Sequence, residues 1–296
     1  MRLASARWLA SMASDPIRPE AATAASPAGD KASPGRRRIA ESVRREIVRF
    51  LIRNLARLNR PGSRFYLQYR PDADLAYGRI GTAAADMAQL QAWWGRGMET
   101  NNLGDLTRLY FLEATVRQLQ SAGVAGSFAE LGVYKGNSAK ILHALAPDRR
   151  LFLFDTFGGF DDADVDAEKS AVNAQVKRRD FADTSLPGVR EFIGAAPSVT
   201  YCPGRFPDTA GHVPEGTRFA LVQLDCDLYA PIKAGVEFFY PLLNPGGVLI
   251  IHDYASGHWP GVKLAVDEFL AGKPEGLVLI PDKSGSAVLV KHRQCD

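Results

Sequence analysis

The chain has 296 residues, 46% of them hydrophobic, and a net charge of +3. No run of residues approaches the ~20 consecutive apolar positions of a transmembrane helix. Three scattered cysteines, Cys202, Cys226 and Cys295, lie at neither metal-binding nor disulfide spacing, which favours a reducing, cytoplasmic compartment. Residues 1–70 carry a charge of +10, so residues 71–296 sum to −7, which argues against nucleic-acid binding by the folded part.

The N-terminal part divides into two predicted segments. Residues 1–38 are rich in Ala, Ser, Pro and Arg and are predicted to be a disordered tail. Residues 39–58 place apolar residues at three- and four-residue steps among arginines, which predicts a basic amphipathic helix. We favour packing of this helix on the body or on a partner subunit over contact with a membrane surface. Residues 39–104 together form a predicted helical extension or cap, ahead of a main domain at 105–296.

Strands and helices alternate along the main domain, which predicts a doubly wound, mostly parallel α/β sheet. The last two apolar runs, Leu277–Ile280 and Ala287–Val290, are too close for a crossover helix, so the seven-stranded sheet should end in an antiparallel strand. A polar insertion at 157–195 is predicted to be a lid, with its acidic residues in a solvated loop. The predicted strands are 127–132, 151–155, 198–202, 218–225 and 246–252, and the predicted helices are 103–119, 137–147, 232–242 and 260–271.

The most informative stretch follows the first strand. An apolar run reaches Glu130, glycines follow at Gly132 and Gly136, and a helical pattern begins near Asn137. In an open α/β sheet, ligands bind at such a strand–turn–helix junction. The glycine spacing does not fit the G-x-G-x-x-G dinucleotide pattern, and Glu130 would repel a pyrophosphate but suits a cationic ligand. The sequence therefore predicts a nucleotide-like cationic ligand, with a ligand-free turn as the alternative.

Ionisable residues also follow three other predicted strands. Asp155 ends the second strand, where a carboxylate can accept hydrogen bonds from ribose hydroxyls. Asp225 ends one later strand, and His252 and Asp253 end its expected neighbour. Because neighbouring strands lie ~4.8 Å apart, these three side chains should converge beside the Gly132 turn. They predict either a divalent-metal site or a general base oriented by a carboxylate, with capping of the following loops as the alternative.

Five runs in fixed order carry a resemblance to a known family. They resemble the macrocin O-methyltransferase family, whose members are S-adenosylmethionine-dependent enzymes with a class I methyltransferase fold that act on sugar hydroxyls of natural products. The resemblance covers about residues 90–292 and extends distantly to catechol O-methyltransferases. The runs are 130–139, 155–160, 204–209, 224–229 and 246–254.

The resemblance implies a role for each matching position. Asp225 would be a metal ligand and the catalytic base, with His252 and Asp253 completing a magnesium or manganese site. Asp155 would hold the ribose hydroxyls of S-adenosylmethionine. The other implied cofactor-binding residues are Glu130, Gly132 and Tyr134 around the methionine moiety, Ser138 on its carboxylate, and Gly204 and Arg205 near the adenine.

The sequence departs from the family at His252, where two acidic residues are usual. Imidazole is a poor ligand for Mg²⁺, so either a softer ion binds or His252 is itself the catalytic base and no metal is needed. Asp227 is expected on the opposite face or higher in its loop. Leu228 also stands where catechol enzymes carry a lysine.

The predicted activity is therefore methyl transfer to a hydroxyl of a glycoside or another small natural product. Two alternatives stay open: a non-catalytic family member that binds the cofactor, and an NAD-dependent oxidoreductase, which the glycine spacing and terminal hairpin disfavour. The expected partner is a small-molecule acceptor, with a second copy of the chain as an open possibility.

Overall fold

The computed structural model describes residues 87–292, apart from 173, 175 and 178, together with positions 43, 46, 47 and 50. The chain divides into two compact units, Met1–Arg70 and Pro71–Asp296. In the first unit the four described positions are helical and exposed, and three of them, Val43, Ile47 and Phe50, belong to the predicted apolar face, so the packing of that face stays a prediction. The predicted tail at 1–38 and the remainder of that helix lie outside the described residues.

The second unit is built on a seven-stranded sheet with the order β3-β2-β1-β4-β5-β7-β6. Strands β1 to β5 pair in parallel, and β7 runs antiparallel to both β5 and β6. The predicted antiparallel ending is therefore confirmed. The strands are β1 Ser127–Leu131, β2 Leu151–Asp155, β3 Val199–Pro203, β4 Phe219–Leu224, β5 Leu243–Ile251, β6 Val278–Leu279 and β7 Ala287–Val290.

Helices cover both faces of the sheet. Helices α1, α3, α4 and α6 pack on one face, and α5, α7 and α8 pack on the other, each burying an apolar side against the strands. None of the helices in the described ranges is both long and apolar enough to cross a bilayer. The helices are α1 Met87–Gly95, α2 Glu99–Asn102, α3 Leu106–Ser121, α4 Asn137–Leu145, α5 Asp162–Val172, α6 Leu186–Ile193, α7 Tyr229–Leu242 and α8 Pro260–Leu270.

The insertion after β2 differs from the prediction. It contains helices α5 and α6, and its acidic residues at 162, 164 and 166 lie in α5 instead of a solvated loop. Asp164 is buried, with its Oδ1 2.8 Å from a guanidinium nitrogen of Arg205. The prediction failed because the residues that bury this helix belong to other elements. Helices α1 and α2 fall within the unit 71–296, and the boundary predicted at residue 104 stays a prediction.

The sheet order indicates which edge of the sheet can bind a ligand. The chain leaves β1 towards β2 on one side, while β4 lies on the other side of β1. In doubly wound sheets the crevice at such a reversal, beyond the carboxyl ends of the strands, receives the ligand. A cavity of about 520 Å³ opens at this edge.

Candidate active site

Gly132 lets the turn after β1 lie directly against the end of β4. Its φ is +89°, and a Cβ at this position would lie 2.0 Å from the backbone oxygen of Asp225. The amide of Asp225 in turn donates to the carbonyl of Leu131 at 2.8 Å. No residue with a side chain fits this approach, so the predicted adjacency of the Gly132 turn and Asp225 is confirmed.

Asp155 fixes the same turn from the other side. One carboxylate oxygen accepts the amides of Val133 and Tyr134 at 2.7 and 2.8 Å, and the other accepts the amide of Phe157 at 2.6 Å. The Asp155 side chain lies at the cavity wall, and its contact with ribose hydroxyls stays a prediction. The sequence did not reveal that three backbone amides already bind it. We call the Gly132 turn together with Asp155 the turn wall.

Tyr134 joins the turn wall to the insertion. Its φ is +50°, and its hydroxyl donates to Asp183, which also accepts Lys135 Nζ at 2.7 Å. The hydroxyl of Thr184 donates to the Tyr134 carbonyl. Tyr134 lines the cavity together with residues of the insertion, and its predicted contact with the methionine moiety stays a prediction.

Glu130 does not shape the cavity wall directly, contrary to the prediction. Its side chain is fully buried beneath the turn, where Oε1 accepts Gln223 Nε2 at 3.0 Å and the hydroxyl of Ser138. Oε2 has no hydrogen-bond partner among the described residues. Burial raises the pKa of Glu130 to about 8. Ser138 lines the cavity, but its hydroxyl is already bound to Glu130, so the predicted carboxylate contact would require it to rotate.

Gly204 and Arg205 follow β3 and line the cavity, and their place near an adenine stays a prediction. The amide of Gly204 donates to the carbonyl of Asp155 at 2.9 Å. Two nitrogens of Arg205 bind Asp164 in α5 at 2.8 and 2.9 Å. This ion pair attaches the start of the insertion helix to the loop after β3.

Asp225, His252 and Asp253 meet at the ends of β4 and β5, and we call them the Asp225 corner. Nδ1 of His252 lies 2.8 Å from Oδ1 of Asp225 and 2.6 Å from Oδ2 of Asp253. Burial raises the pKa of Asp225, but the positive charges of Arg108 and His252 outweigh it and hold that pKa well below its usual range. Burial and Arg108 lower the pKa of His252, but the carboxylates of Asp225 and Asp253 outweigh them and raise it to about 10.

Arg108, on α3, was not predicted as a site residue. Its Nη2 donates to Oδ2 of Asp225, and the side chain lines the cavity while staying largely buried. The only local signal was Asp105, three positions earlier, which caps α3 and accepts the Arg108 amide at 3.4 Å. A cation thus occupies one oxygen of Asp225, and the imidazole lies beside the other.

Asp227 also lies at the Asp225 corner, which corrects the expectation that it faces away. It lines the cavity and interacts with Asp253. Burial, followed by the charges of Asp225 and Asp253, raises its pKa well above the usual value. The prediction failed because Asp227 has a φ of +62°, a left-handed turn that strand alternation does not anticipate.

The donor atoms of the Asp225 corner fit a divalent ion. One ligand atom from each of the three residues lies within 4.8 Å of the others. The buried Nδ1 of His252 lies at ion-pair distance from one oxygen each of Asp225 and Asp253. Neither oxygen lies in the direction of a hydrogen bond from this nitrogen, and no other described residue supplies a partner. One nitrogen with two carboxylates suits manganese or zinc better than magnesium.

Aromatic rings line part of the cavity between the turn wall and the Asp225 corner. Phe160 and Phe181 of the insertion pack edge to face at 5.3 Å, and Phe160 packs on Trp259 at 5.7 Å. Trp94 from α1 forms part of the opposite side. The arrangement can hold a molecule with one end against amides and glycine and the other beside a carboxylate.

The sheet order and its antiparallel β7 define the class I methyltransferase fold. Two solved structures share it. The O-methyltransferase NovP is 24% identical, with a TM-score of 0.52 over 63% of this chain and 80% of that chain. The calicheamicin methyltransferase CalS11 is 24% identical, with a TM-score of 0.53 over 78% of this chain and 100% of that chain.

Residues 95–274 match the macrocin-O-methyltransferase (TylF) family, and the chain belongs to this family. The predicted resemblance is thereby confirmed. A Streptomyces olivaceus relative, 8-demethyl-8-(2,3-dimethoxy-alpha-L-rhamnosyl)-tetracenomycin-C 4'-O-methyltransferase, is 33% identical over 51% of this chain and 61% of its own length. Mycinamicin III 3''-O-methyltransferase of Micromonospora griseorubida is 30% identical over 55% of this chain and 68% of its own length. The chain thus spans about three fifths of the first relative.

Proposed function

We propose that this protein is an S-adenosylmethionine-dependent O-methyltransferase that methylates a hydroxyl of a sugar or another small natural product. The observation that carries the proposal is that the turn wall and Asp225 line one and the same cavity. The names of the two relatives, which describe methylation at sugar positions, support a glycoside as the acceptor. The family match favours this activity over the oxidoreductase alternative.

The turn wall and the loop after β3 would hold the cofactor, which supplies a methyl group already activated by positive charge on sulfur. Gly132 gives close backbone approach, and Asp155 keeps the amides of the turn in place. Asp155, Gly204 and Arg205 lie together along one side of the cavity, where a ribose and an adenine would bind. Tyr134 and Ser138 line the methionine side.

Asp225 is the residue that we assign to receive the acceptor proton. A sugar hydroxyl is a weak acid, but its oxygen becomes acidic as it gains a methyl group, so even a carboxylate with a depressed pKa can accept the proton late in the transfer. Arg108 and His252 fix the two oxygens of Asp225, which holds the carboxylate in one orientation. Such alignment of the reacting groups accounts for much of the rate of transfer reactions.

Asp225, His252 and Asp253 would hold a divalent ion. When bound, the ion would lower the pKa of an acceptor hydroxyl and orient it. A metal ligand must be deprotonated, so the protein has to release the proton that the carboxylates retain on His252. Because one of the three ligands is an imidazole nitrogen, we expect a metal requirement in which manganese is more effective than magnesium. The alternative, in which His252 is the base without a metal, predicts full activity in EDTA.

The decisive experiment has two parts. Calorimetry with S-adenosylhomocysteine measures cofactor binding, and mass spectrometry detects methyl transfer to a panel of glycosides and phenols, with EDTA or added Mn²⁺. Binding together with methylated product supports the proposal. Binding without transfer to any acceptor would favour the non-catalytic alternative, and absence of binding would refute the assignment.

A further inference from the structure

Glu168, in helix α5 of the insertion, is a fully buried carboxylate outside the cavity. Its Oε2 accepts the amide of Tyr229 at 2.6 Å, and its Oε1 accepts the amide of Gly261 at 3.2 Å. Tyr229 is the first residue of α7, and Gly261 is the second residue of α8. One side chain thus binds the N-termini of two helices.

These two helices begin directly after the loops that carry the Asp225 corner. The loop before α7 contains Asp225 and Asp227, and the loop before α8 contains His252 and Asp253. Each loop has a non-glycine residue in the left-handed region, with φ of +62° at Asp227 and +58° at Asp253. Such conformations are unfavourable for a residue with a side chain and persist only where the surrounding structure fixes them.

The contacts of Glu168 hold two helix ends to one carboxylate. Helix N-termini present free amides and a partial positive charge, which suit a buried carboxylate. Burial raises the pKa of Glu168 above its usual value, and the hydrogen bonds from the two amides offset only part of that rise. The carboxylate lies so close to the backbone of α8 that only glycine fits at position 261, because a Cβ there would be 2.1 Å from Oε2.

We propose that Glu168 is a positioning residue, which clamps the N-termini of α7 and α8 together and thereby sets the distance between Asp225 and the His252–Asp253 pair. The insertion then does more than cover the cavity, since its helix α5 supplies the clamp. This inference rests on the proposed function for its catalytic consequence, but its structural consequence can be measured separately.

The test uses the full chain, three variants of the clamp and one control variant. Glu168→Gln keeps the size but turns an amide group toward one of the two helix ends, and Glu168→Asp shortens the reach. Gly261→Ala keeps the Glu168 carboxylate but displaces it. This variant replaces Glu168→Gln as the test if Glu168→Gln does not fold. Asp166→Asn, an exposed acid on the same helix, is the matched control.

Two readouts need no acceptor. The imidazole nitrogen chemical shifts of His252, assigned with His252→Gln, report its contacts with Asp225 and Asp253. Hydrogen exchange at the amides of Tyr229 and Gly261 reports the clamp. We expect changed shifts and faster exchange in Glu168→Gln and Gly261→Ala, partial recovery in Glu168→Asp, and wild-type values in the control.

Turnover gives the third readout. We expect kcat to fall roughly 10- to 100-fold in Glu168→Gln, with the KM for S-adenosylmethionine changed by about twofold or less. Wild-type His252 shifts, or wild-type kcat, in a folded Glu168→Gln variant would overturn the proposal, even if its melting temperature were lower. If the wild-type chain methylates no acceptor, the proposed function fails, while the shifts and exchange rates still decide the role of Glu168.

Discussion

The turn wall and the Asp225 corner satisfy their polar groups in different ways. In the turn wall, the Asp155 carboxylate binds backbone amides of Val133, Tyr134 and Phe157. In the Asp225 corner, the carboxylate binds the charged side chains of Arg108 and His252. The first arrangement depends on backbone geometry, whereas the second depends on a balance of buried charges.

This difference suits the turn wall to cofactor binding and the Asp225 corner to the chemical step. Backbone amides hold one conformation and tolerate a ligand without rearranging, which suits recognition of an invariant cofactor. Buried charges respond strongly to any gain or loss of a neighbour, because their interactions are strong at low dielectric. We therefore expect substitutions in the turn wall to change affinity and substitutions at the Asp225 corner to change turnover or stability.

The largest effect is expected for Asp225→Asn. The amide keeps the size of the side chain but cannot accept a proton, so turnover should fall on the order of 10²- to 10⁴-fold. Calorimetry should show unchanged binding of S-adenosylhomocysteine. Asp148→Asn, at an exposed position before β2, is the control. Turnover close to that of the control would remove Asp225 from the mechanism.

Arg108→Met should have the next largest effect. It leaves the half-buried Asp225 carboxylate beside His252 without its guanidinium partner, and the loss of unfolding free energy should approach the ~3–5 kcal/mol that breaking a fully buried ion pair costs. Denaturant titration measures this loss, with Arg150→Met as an exposed control. A loss no greater than that of the control would show that His252 alone compensates Asp225.

Asp155→Asn tests the opposite wall. Hydrogen bonds to charged groups are worth about 1.5–3 kcal/mol each, so weakening the contacts with the turn amides should raise the Kd for S-adenosylhomocysteine roughly 10- to 100-fold. Metal affinity should not change. Asp148→Asn, at the exposed position before the same strand, is again the comparison. An altered metal affinity with normal cofactor binding would contradict the separation of the two walls.

Glu130 gives the smallest effect, which depends on pH. Its folded-state pKa of about 8 lies above the ordinary value of 4.5, so between these values the folded protein binds the proton more tightly than the unfolded chain does. Stability from this group should therefore fall as the pH rises through that window. Between pH 6 and 7 the loss should reach at most about 1.4 kcal/mol.

Glu130→Gln should remove this pH dependence. The measurement is the difference in unfolding free energy between the wild type and the variant across the pH series, with Glu191→Gln at an exposed position as control. A difference that stays constant with pH would show that Glu130 is ionised throughout.

The sequence was sufficient for much of the fold. The apolar runs located the seven strands within a few residues, and the short gap before β7 required its antiparallel direction. Strand ends also predicted the meeting of Gly132 with Asp225 and His252. Helix α5 was missed because its polar, acidic residues give no apolar periodicity, and Asp164 and Glu168 are buried only by contacts with distant elements. Helix α6 did carry a local signal, since Ser185 caps it and Val189 and Ile193 repeat on one buried face.

By itself, the sequence determined which residues stand at the carboxyl ends of the strands, because parallel strands bring those ends to one edge whatever the helices do. Only the tertiary structure decided the partners of those residues. Arg108 reaches Asp225 from 117 positions away, and Glu168 reaches Tyr229 from 61 positions away. Such pairings depend on how helices pack across the sheet, which no local pattern encodes, and they set the charges and the spacing of the site.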